Sequence, residues 1–423
     1  MTPPSSTREP SLSLFGQLPT GFTPATLTKV LSTVALRMPY VFLATLARGL
    51  HTTVAHLGAL FGLAELAGLA VFLIGRSIDR GTYRFWLLTG MASNTSGLIL
   101  MAVAGNPTVF TAGFAGVTLG VAVFTATGHS WIGHEVPFDR RGETIGLFET
   151  SWAMGLLVGA PAVGLVIAAT NWRVPWVFLA LGYVPLAFWL HRVFPHQRTI
   201  VESHVVPEPF RVTRVVAFTI ATAFLVSFGA SAIFSTYGTW LADRFGLTVR
   251  AIGVLSIAIG GAELLASTST VRFSDSWGTK RSARGGFVVM AAGALAVAVV
   301  PKVSALGIAA LVLVFLGFEF GFICVLSIVT EVGRHNRGTV VAVNGALLTV
   351  ARAASAALGT ALYAGHGMPA AAGVTVGCCV VAVVCLSATS QPATSTPATS
   401  TPTTSTPATS ATAPSGTRPR NPA

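Results

Sequence analysis

Asp79-Arg80-Gly81-Thr82-Tyr83-Arg84 returns 196 residues later as Asp275-Ser276-Trp277-Gly278-Thr279-Lys280, acid over acid and base over base (79 to 275, 84 to 280). At the same offset, His134-Glu135-Val136 with Arg141-Gly142 returns as Thr330-Glu331-Val332 with Arg337-Gly338. Two separate matches at one offset, in a chain with only 9 % charged residues, mark an internal duplication. Each copy of the turn lies between long apolar runs. What is duplicated is therefore a bundle of membrane helices.

Composition supports this reading. Apolar residues make up 52 % of the chain, and its charged fraction is far below the roughly one quarter of a soluble domain. Such a chain cannot be water-compatible all round, so most of its outer surface must face a lipid bilayer. The net charge of +12 and pI near 10.6 would suit a nucleic-acid binder. Here, however, Lys and Arg fall in short loops between apolar runs, the pattern of membrane orientation, and no nucleic-acid partner is expected. Cys324, Cys378, Cys379 and Cys385 lie in apolar runs without metal-site spacing and read as packing residues. Residues 1–25 are polar and Pro-rich and carry no cleavable signal. Asn94-Thr95-Ser96 matches a glycosylation pattern but lies in a hydrophobic segment, so it is discarded.

Runs of about 20 apolar residues predict an all-α membrane protein with twelve spans. In the first half they are 28–48, 54–75, 84–104, 108–132, 143–169 and 173–194; in the second, 212–237, 248–271, 284–301, 304–328, 338–364 and 368–388. The implied organisation is a segment 1–26, a six-helix bundle 27–194, a linker 195–211, a second bundle 212–388 and a Pro/Ala/Thr/Ser tail 389–423. The tail has no aromatic residue and no core-forming run, so disorder is expected there. Loops after even-numbered spans carry fifteen Lys or Arg; those after odd-numbered spans carry five, Arg48, Arg173, Arg244, Arg250 and Lys302. That asymmetry predicts cytoplasmic termini, linker and repeated turns, in a plasma-membrane protein.

The stretch Gly75-Arg76-Ser77-Ile78-Asp79-Arg80-Gly81-Thr82-Tyr83-Arg84 resembles the major facilitator superfamily signature between spans 2 and 3, Gly-x-x-x-Asp-Arg-x-Gly-Arg-Arg. Gly75, Asp79, Arg80 and Arg84 match, and Thr82 stands in place of a glycine. The second copy keeps Asp275, Gly278, Lys280 and Arg281 but has Val271 at the first glycine. The resemblance covers residues 27–388 and implies two pseudo-symmetric six-helix bundles that carry a small molecule by alternating access. It also implies a cytoplasmic gate at Asp79, Arg80 and Arg84, with Asp275 and Lys280 in the second copy. Physically, a carboxylate at a helix end flanked by guanidinium groups can bridge to a neighbouring helix N-terminus and break when the halves rock. The same charges also serve simply to orient the chain.

Six ionisable residues fall well inside spans: Arg37, Glu65 and Glu149 in the first half, Glu263, Glu319 and Arg352 in the second. Each costs about 2.5–3.5 kcal/mol at a helix centre unless it finds a partner or a water-lined cavity. If each Arg takes one Glu, each half keeps one carboxyl over, and an unpaired buried carboxyl can take up a proton near neutral pH. In the family that the chain resembles, spans 1, 4, 7 and 10 line the cavity, which implies a place there for Arg37 and Glu319. Glu319 lies within Phe315-Leu316-Gly317-Phe318-Glu319-Phe320-Gly321-Phe322, surroundings that suit a lipophilic or cationic substrate. The alternative is that Arg–Glu pairs only fasten helices and the phenylalanines face lipid.

In span 5, Gly146, Gly155, Gly159, Pro161 and Gly164 resemble the antiporter signature of drug exporters, Gly-x8-Gly-x3-Gly-Pro-x-x-Gly, with Ala160 inserted before the proline. Small residues allow close helix approach and proline bends a helix, so ordinary tight packing explains them as well. Span 4 reads Ala115-Gly116-Val117-Thr118-Leu119-Gly120 and lacks the arginine of proton-coupled exporters. His51, His56, His129, His134 and His366 lie near span ends and read as solvated interfacial histidines. There is no nucleophile elbow, phosphate-binding loop, dinucleotide fingerprint or metal box, so neither enzyme activity nor a cofactor is expected. The expectation is a monomeric proton-coupled exporter of a small organic compound; uptake by symport or facilitated diffusion is the alternative. A non-transporting sensor or assembly protein is a more distant one.

Overall fold

The structure is a computed structural model of the 423-residue chain. It describes residues 18–194, 212–300, 302–332 and 337–389. The expected linker 195–211, most of the expected segment 1–26 and nearly all of the expected tail 389–423 lie outside the described residues. Among the described residues every regular element is helical. In lipid a backbone must satisfy its own polar groups, and for an apolar run of this length the helix does so. Among the described residues eleven helices are long and apolar enough to cross a membrane, or twelve when the bent pair Phe22–Val41 and Leu43–Gly49 is taken as one span.

Span boundaries differ from the expected ones mainly at charged ends. Span 5 begins at Phe138, span 7 reaches Phe245, span 8 reaches Trp277 and span 9 begins at Thr279. These added turns sit where water can meet their polar groups, so helix continues beyond the apolar window.

Four spans are broken, and the breaks frame the centre of the molecule. Span 1 bends by 72° at Phe42, three residues after Pro39, whose ring cannot donate to and crowds the preceding turn. Span 7 breaks at the corresponding place, between Phe234 and Tyr237. There the hydroxyls of Ser235 and Thr236 donate back to the carbonyl of Ala232 at 3.3 and 2.8 Å, competing with the helix ladder. Span 2 passes through a 3₁₀ stretch, Leu66–Ala70, directly after Glu65. Span 5 carries a π turn at Gly155–Gly159, just ahead of Pro161.

Within each half, glycines bring spans 3 and 4, and spans 9 and 10, into backbone contact. A Cβ on Gly90 would lie 2.9 Å from the carbonyl oxygen of Gly120, and one on Gly286 would lie 2.8 Å from that of Gly317. Gly90 and Gly286 are again 196 residues apart, as are Gly97 and Gly293, which serve the same two interfaces. The duplication thus extends to the packing.

Between halves, span 2 runs against span 11 and span 5 against span 8. Call the end where span 6 stops at Val193 and span 7 starts at Arg214 the linker face. Toward the opposite face, Gly58 abuts Thr360 and Gly62 abuts the carbonyl of Ala353 with no room for a Cβ; Gly238 abuts the carbonyl of Val41 in the same way. A Cβ on Gly253 would lie 2.6 Å from the Ala160 carbonyl. The gap widens toward the linker face: a Cβ on Gly68 would lie 3.8 Å from Thr349 of the other half, while one on Gly75, Gly146 or Gly345 would have nothing within 4 Å. The halves are closed at the opposite face and part toward the linker face.

Candidate functional site

Where the four breaks converge, an opening lies between the halves, with about 550 Å³ of space free of protein atoms that includes the solvent it opens onto. Its wall comes from spans 1, 2, 5, 7, 10 and 11, through Arg37, Tyr40, Glu65, Trp152, Tyr237, Phe315 and Arg352 among others. Span 4 contributes no lining residue, whereas spans 2, 5 and 11 do, which differs from what the family resemblance implies for spans 1, 4, 7 and 10. The aromatic wall is continuous: Phe234 stacks on Phe315 at 4.0 Å between centroids, and Tyr237 meets Phe315 edge-on at 5.4 Å. Phe315 and Phe318 are buried within the protein and do not face lipid.

The arginines do not pair within their own halves. Arg37 on span 1 reaches across to Glu263 on span 8, its Nη1 donating to Oε2 at 2.8 Å and its Nη2 to Oε1 at 2.7 Å. Nη1 also donates to the carbonyl of Trp152 at 2.9 Å, and the guanidinium lies 4.6 Å from the centre of the Trp152 ring. Arg37 is 9 % exposed and Glu263 0 %. Two charges so deeply buried persist only as a well-formed, hydrogen-bonded pair.

The second arginine mirrors the first. Arg352 on span 11 reaches Glu65 on span 2, its Nε and Nη2 each 3.4 Å from the same oxygen, Oε2. The Tyr40 hydroxyl donates to the other oxygen of Glu65 at 3.2 Å. Arg352 remains 35 % exposed, and 3.4 Å exceeds the usual range of a charge-assisted hydrogen bond. Glu65 and Glu263 lie on the corresponding spans 2 and 8, 198 residues apart and so two positions off the 196-residue repeat.

The carboxyl expected to be left over in the first half has partners. Glu149 pairs with Lys29 on span 1 and lies 2.6 Å from His129 Nε2 on span 4. Lys29 is buried and stands over the Phe148 ring at 4.5 Å. Sequence reasoning passes over Lys29 because it sits at the edge of span 1, and it treats His129 as interfacial. Glu149 does not contact Arg37 or Arg352.

Glu319 differs from the other three. It is not part of the cavity wall. It faces span 8, where its Oε1 lies 2.9 Å from the Ser267 hydroxyl, one turn beyond Glu263 toward the linker face. No cation lies in ion-pair range of it among the described residues. The same Ser267 hydroxyl lies 2.9 Å from the Glu263 carbonyl. One hydroxyl proton cannot serve both oxygens, so a proton on Glu319 would complete this network.

At the repeated turn, the side chains of Asp79 and Asp275 lie outside the described residues. Arg80 ends its helix and is exposed. Arg84 donates to the carbonyl of Phe194 at 3.3 Å, and Lys280 to that of Thr389 at 3.1 Å. The repeated base thus caps the last helix of its own half, spans 6 and 12, where a cation suits the helix C-terminus. The span 5 glycines divide their contacts. Gly155 and Gly159 meet Thr33 and Val34 of span 1, Gly164 meets Val249 and Gly253 of span 8, and Gly146 meets nothing within 4 Å. Pro161 opens the last helix of the span. Among the described residues, no group of three or more His, Cys, Asp or Glu could hold a metal ion.

The Major Facilitator Superfamily profile matches residues 25–356 and 219–418. The chain is 27 % identical over 213 residues to the uncharacterised MFS-type transporter YwfA of Bacillus subtilis, a match covering 48 % of this chain and 51 % of that protein. It is 27 % identical over 274 residues to the uncharacterised MFS-type transporter Rv0849 of Mycobacterium tuberculosis, covering 60 % of this chain and 62 % of the relative. The matched stretches thus span about half to three fifths of those relatives. Among solved structures, a bacterial homologue of the human lysosomal transporter Spinster, in an inward-facing unoccupied conformation, superposes with a TM-score of 0.67 at 13 % identity, covering 87 % of this chain and 94 % of that one. The human organic anion transporter MFSD10 superposes with a TM-score of 0.66 at 14 % identity, covering 87 % and 100 %. With two six-helix halves around a central cavity and a family profile matching most of its length, the chain belongs to the Major Facilitator Superfamily.

Proposed function

We propose that this protein is a secondary transporter that exports a small organic compound in exchange for protons, with Glu319 as the carboxyl that takes up and releases the coupling proton. One observation carries the reading. Of the four carboxyls inside the spans, Glu65, Glu149 and Glu263 each have a cationic partner and Glu319 has only a serine hydroxyl. An ion pair holds a carboxylate charged; a carboxyl with a neutral partner in a low-dielectric setting can exchange its proton. The compound would occupy the cavity between the halves. Rocking of the halves would then expose that cavity to each face in turn, with the span 5 glycines and π turn as the flexing seam. The protein would act as a monomer in the plasma membrane, with the linker face toward the cytoplasm and no cofactor or catalytic step.

The test begins in a pump-deficient bacterial strain challenged with a broad panel of toxic compounds, with Glu319→Gln at a matched membrane level. Resistance from the native chain and its loss in Glu319→Gln are expected. In reconstituted vesicles the same substitution should abolish acceleration of transport by an imposed pH gradient. Transport that responds unchanged to the gradient in Glu319→Gln would remove the coupling role. Heightened sensitivity of the strain would mean uptake and would overturn export.

A further inference from the structure

We infer that the cavity selects an amphipathic organic anion, anchored by the outer edge of Arg352. The inference rests on the transport reading above and adds the chemical class of the substrate.

The two arginines in the cavity wall differ in what they still have to offer. Arg37 is spent: its two terminal nitrogens hold both oxygens of Glu263 and the Trp152 carbonyl at 2.7 to 2.9 Å. Arg352 is not. Its Nε and Nη2 face Glu65 at 3.4 Å, Nη2 also lies 3.4 Å from the Thr349 hydroxyl, and Nη1 donates to no group among the described residues. A guanidinium presents its donors in a planar fork that matches a carboxylate or sulfonate with two parallel hydrogen bonds. With its inner edge turned loosely to Glu65, the outer edge of Arg352 is the polar anchor left for a ligand.

A cation finds no such anchor in this wall. Glu65 is held between Arg352 and Tyr40, Glu263 is 0 % exposed behind Arg37, and Glu319 is not in the wall. What faces the anchor is apolar and aromatic: Tyr40, Trp152, Phe234, Tyr237 and Phe315. One anion-binding fork in an aromatic chamber selects a molecule with a flat apolar body and a single negative charge. Glu65 is then a competitor for the fork, and a bound anion loosens the link between spans 2 and 11. Exchanging a monoanion for an entering proton moves charge in one sense, so an inside-negative potential drives both legs of the exchange.

The test uses the full-length protein in lipid nanodiscs and three probes of one shape: naphthoate, naphthamide and naphthylmethylammonium. Equilibrium dialysis against empty discs measures each affinity. The native protein should bind naphthoate roughly tenfold more tightly than the neutral amide, the difference one charge-assisted fork supplies. Arg352→Gln should reduce naphthoate to the affinity of the amide. Glu65→Gln, which removes the competing carboxylate, should tighten naphthoate binding severalfold, a gain that a misfolded protein cannot produce. Tightest binding of the cation, an unchanged preference in Arg352→Gln, no tightening in Glu65→Gln, or no naphthoate bound above empty discs would each overturn the anion assignment. Failure of proton coupling would show separately, as gradient-independent flux with this order of affinities intact.

Discussion

Two ion pairs cross between the halves at related positions, and they are built to opposite standards. Arg37–Glu263 is bidentate at 2.7 and 2.8 Å, backed by a carbonyl and an aromatic face, and nearly sealed from solvent. Arg352–Glu65 uses one carboxylate oxygen at 3.4 Å and leaves the arginine 35 % exposed. The carboxylates lie on corresponding spans, 2 and 8, but the arginines come from non-equivalent helices, spans 1 and 11, and the two geometries differ. The contrast fits our proposal, in which the tight pair fastens the halves and the loose one gives way to a bound anion. A protein that must hold together and still open needs one of each.

The largest effect that bears on this contrast should come from Arg37→Gln. It strands the Glu263 charge at a fully buried position, and breaking one side of such a pair costs about 3–5 kcal/mol. Thermal unfolding of the purified protein should show a deep fall in midpoint, partly recovered in the double variant with Glu263→Gln. A fall no larger than that of Arg352→Gln would erase the distinction between the pairs. Next in size is Gly238→Val, which drives a side chain into the Val41 carbonyl where the broken spans 1 and 7 meet. In a background without the four native cysteines, a reporter Ser235→Cys should then react severalfold faster with an impermeant maleimide from the face opposite the linker. Gly75→Ala, with nothing within 4 Å, should leave that rate unchanged. The smallest effect should be that of Arg352→Gln on stability: it too leaves a buried carboxylate, Glu65 at 3 % exposed, but the lost contact is long and half open to water and Glu65 keeps the Tyr40 hydroxyl, so the fall should stay below that of Arg37→Gln. If it matched Arg37→Gln, Arg352 would be a fastener as well and unsuited to exchange.

Much of the architecture was legible because the bilayer enforces it. Apolar length maps to spans, and the offset of 196 between the repeated turns maps to two related halves. The glycine pairs of spans 3–4 and 9–10 obey the same offset, and a search for repeated small residues would have found them. The site was legible as a list and not as an arrangement. Arg37, Glu65, Glu149, Glu263, Glu319 and Arg352 stand out because intramembrane charge is costly, yet cost alone does not say who pairs with whom. Lys29 escaped notice because at the edge of a span a lysine reads as an interfacial anchor, whereas the fold buries it against Glu149 and the Phe148 ring.

By itself the sequence determined that the chain is a duplicated helical membrane protein, where its spans lie, and that a few charges inside them had to be satisfied. Only the tertiary structure decided that the arginines reach across to the opposite half, that Glu149 is claimed by Lys29 and His129, and that Glu319 is the carboxyl left with a neutral partner. The physical reason is one of range. Hydropathy and helix formation act within about 20 consecutive residues, whereas an ion pair between residues 226 or 287 positions apart depends on how two bundles dock.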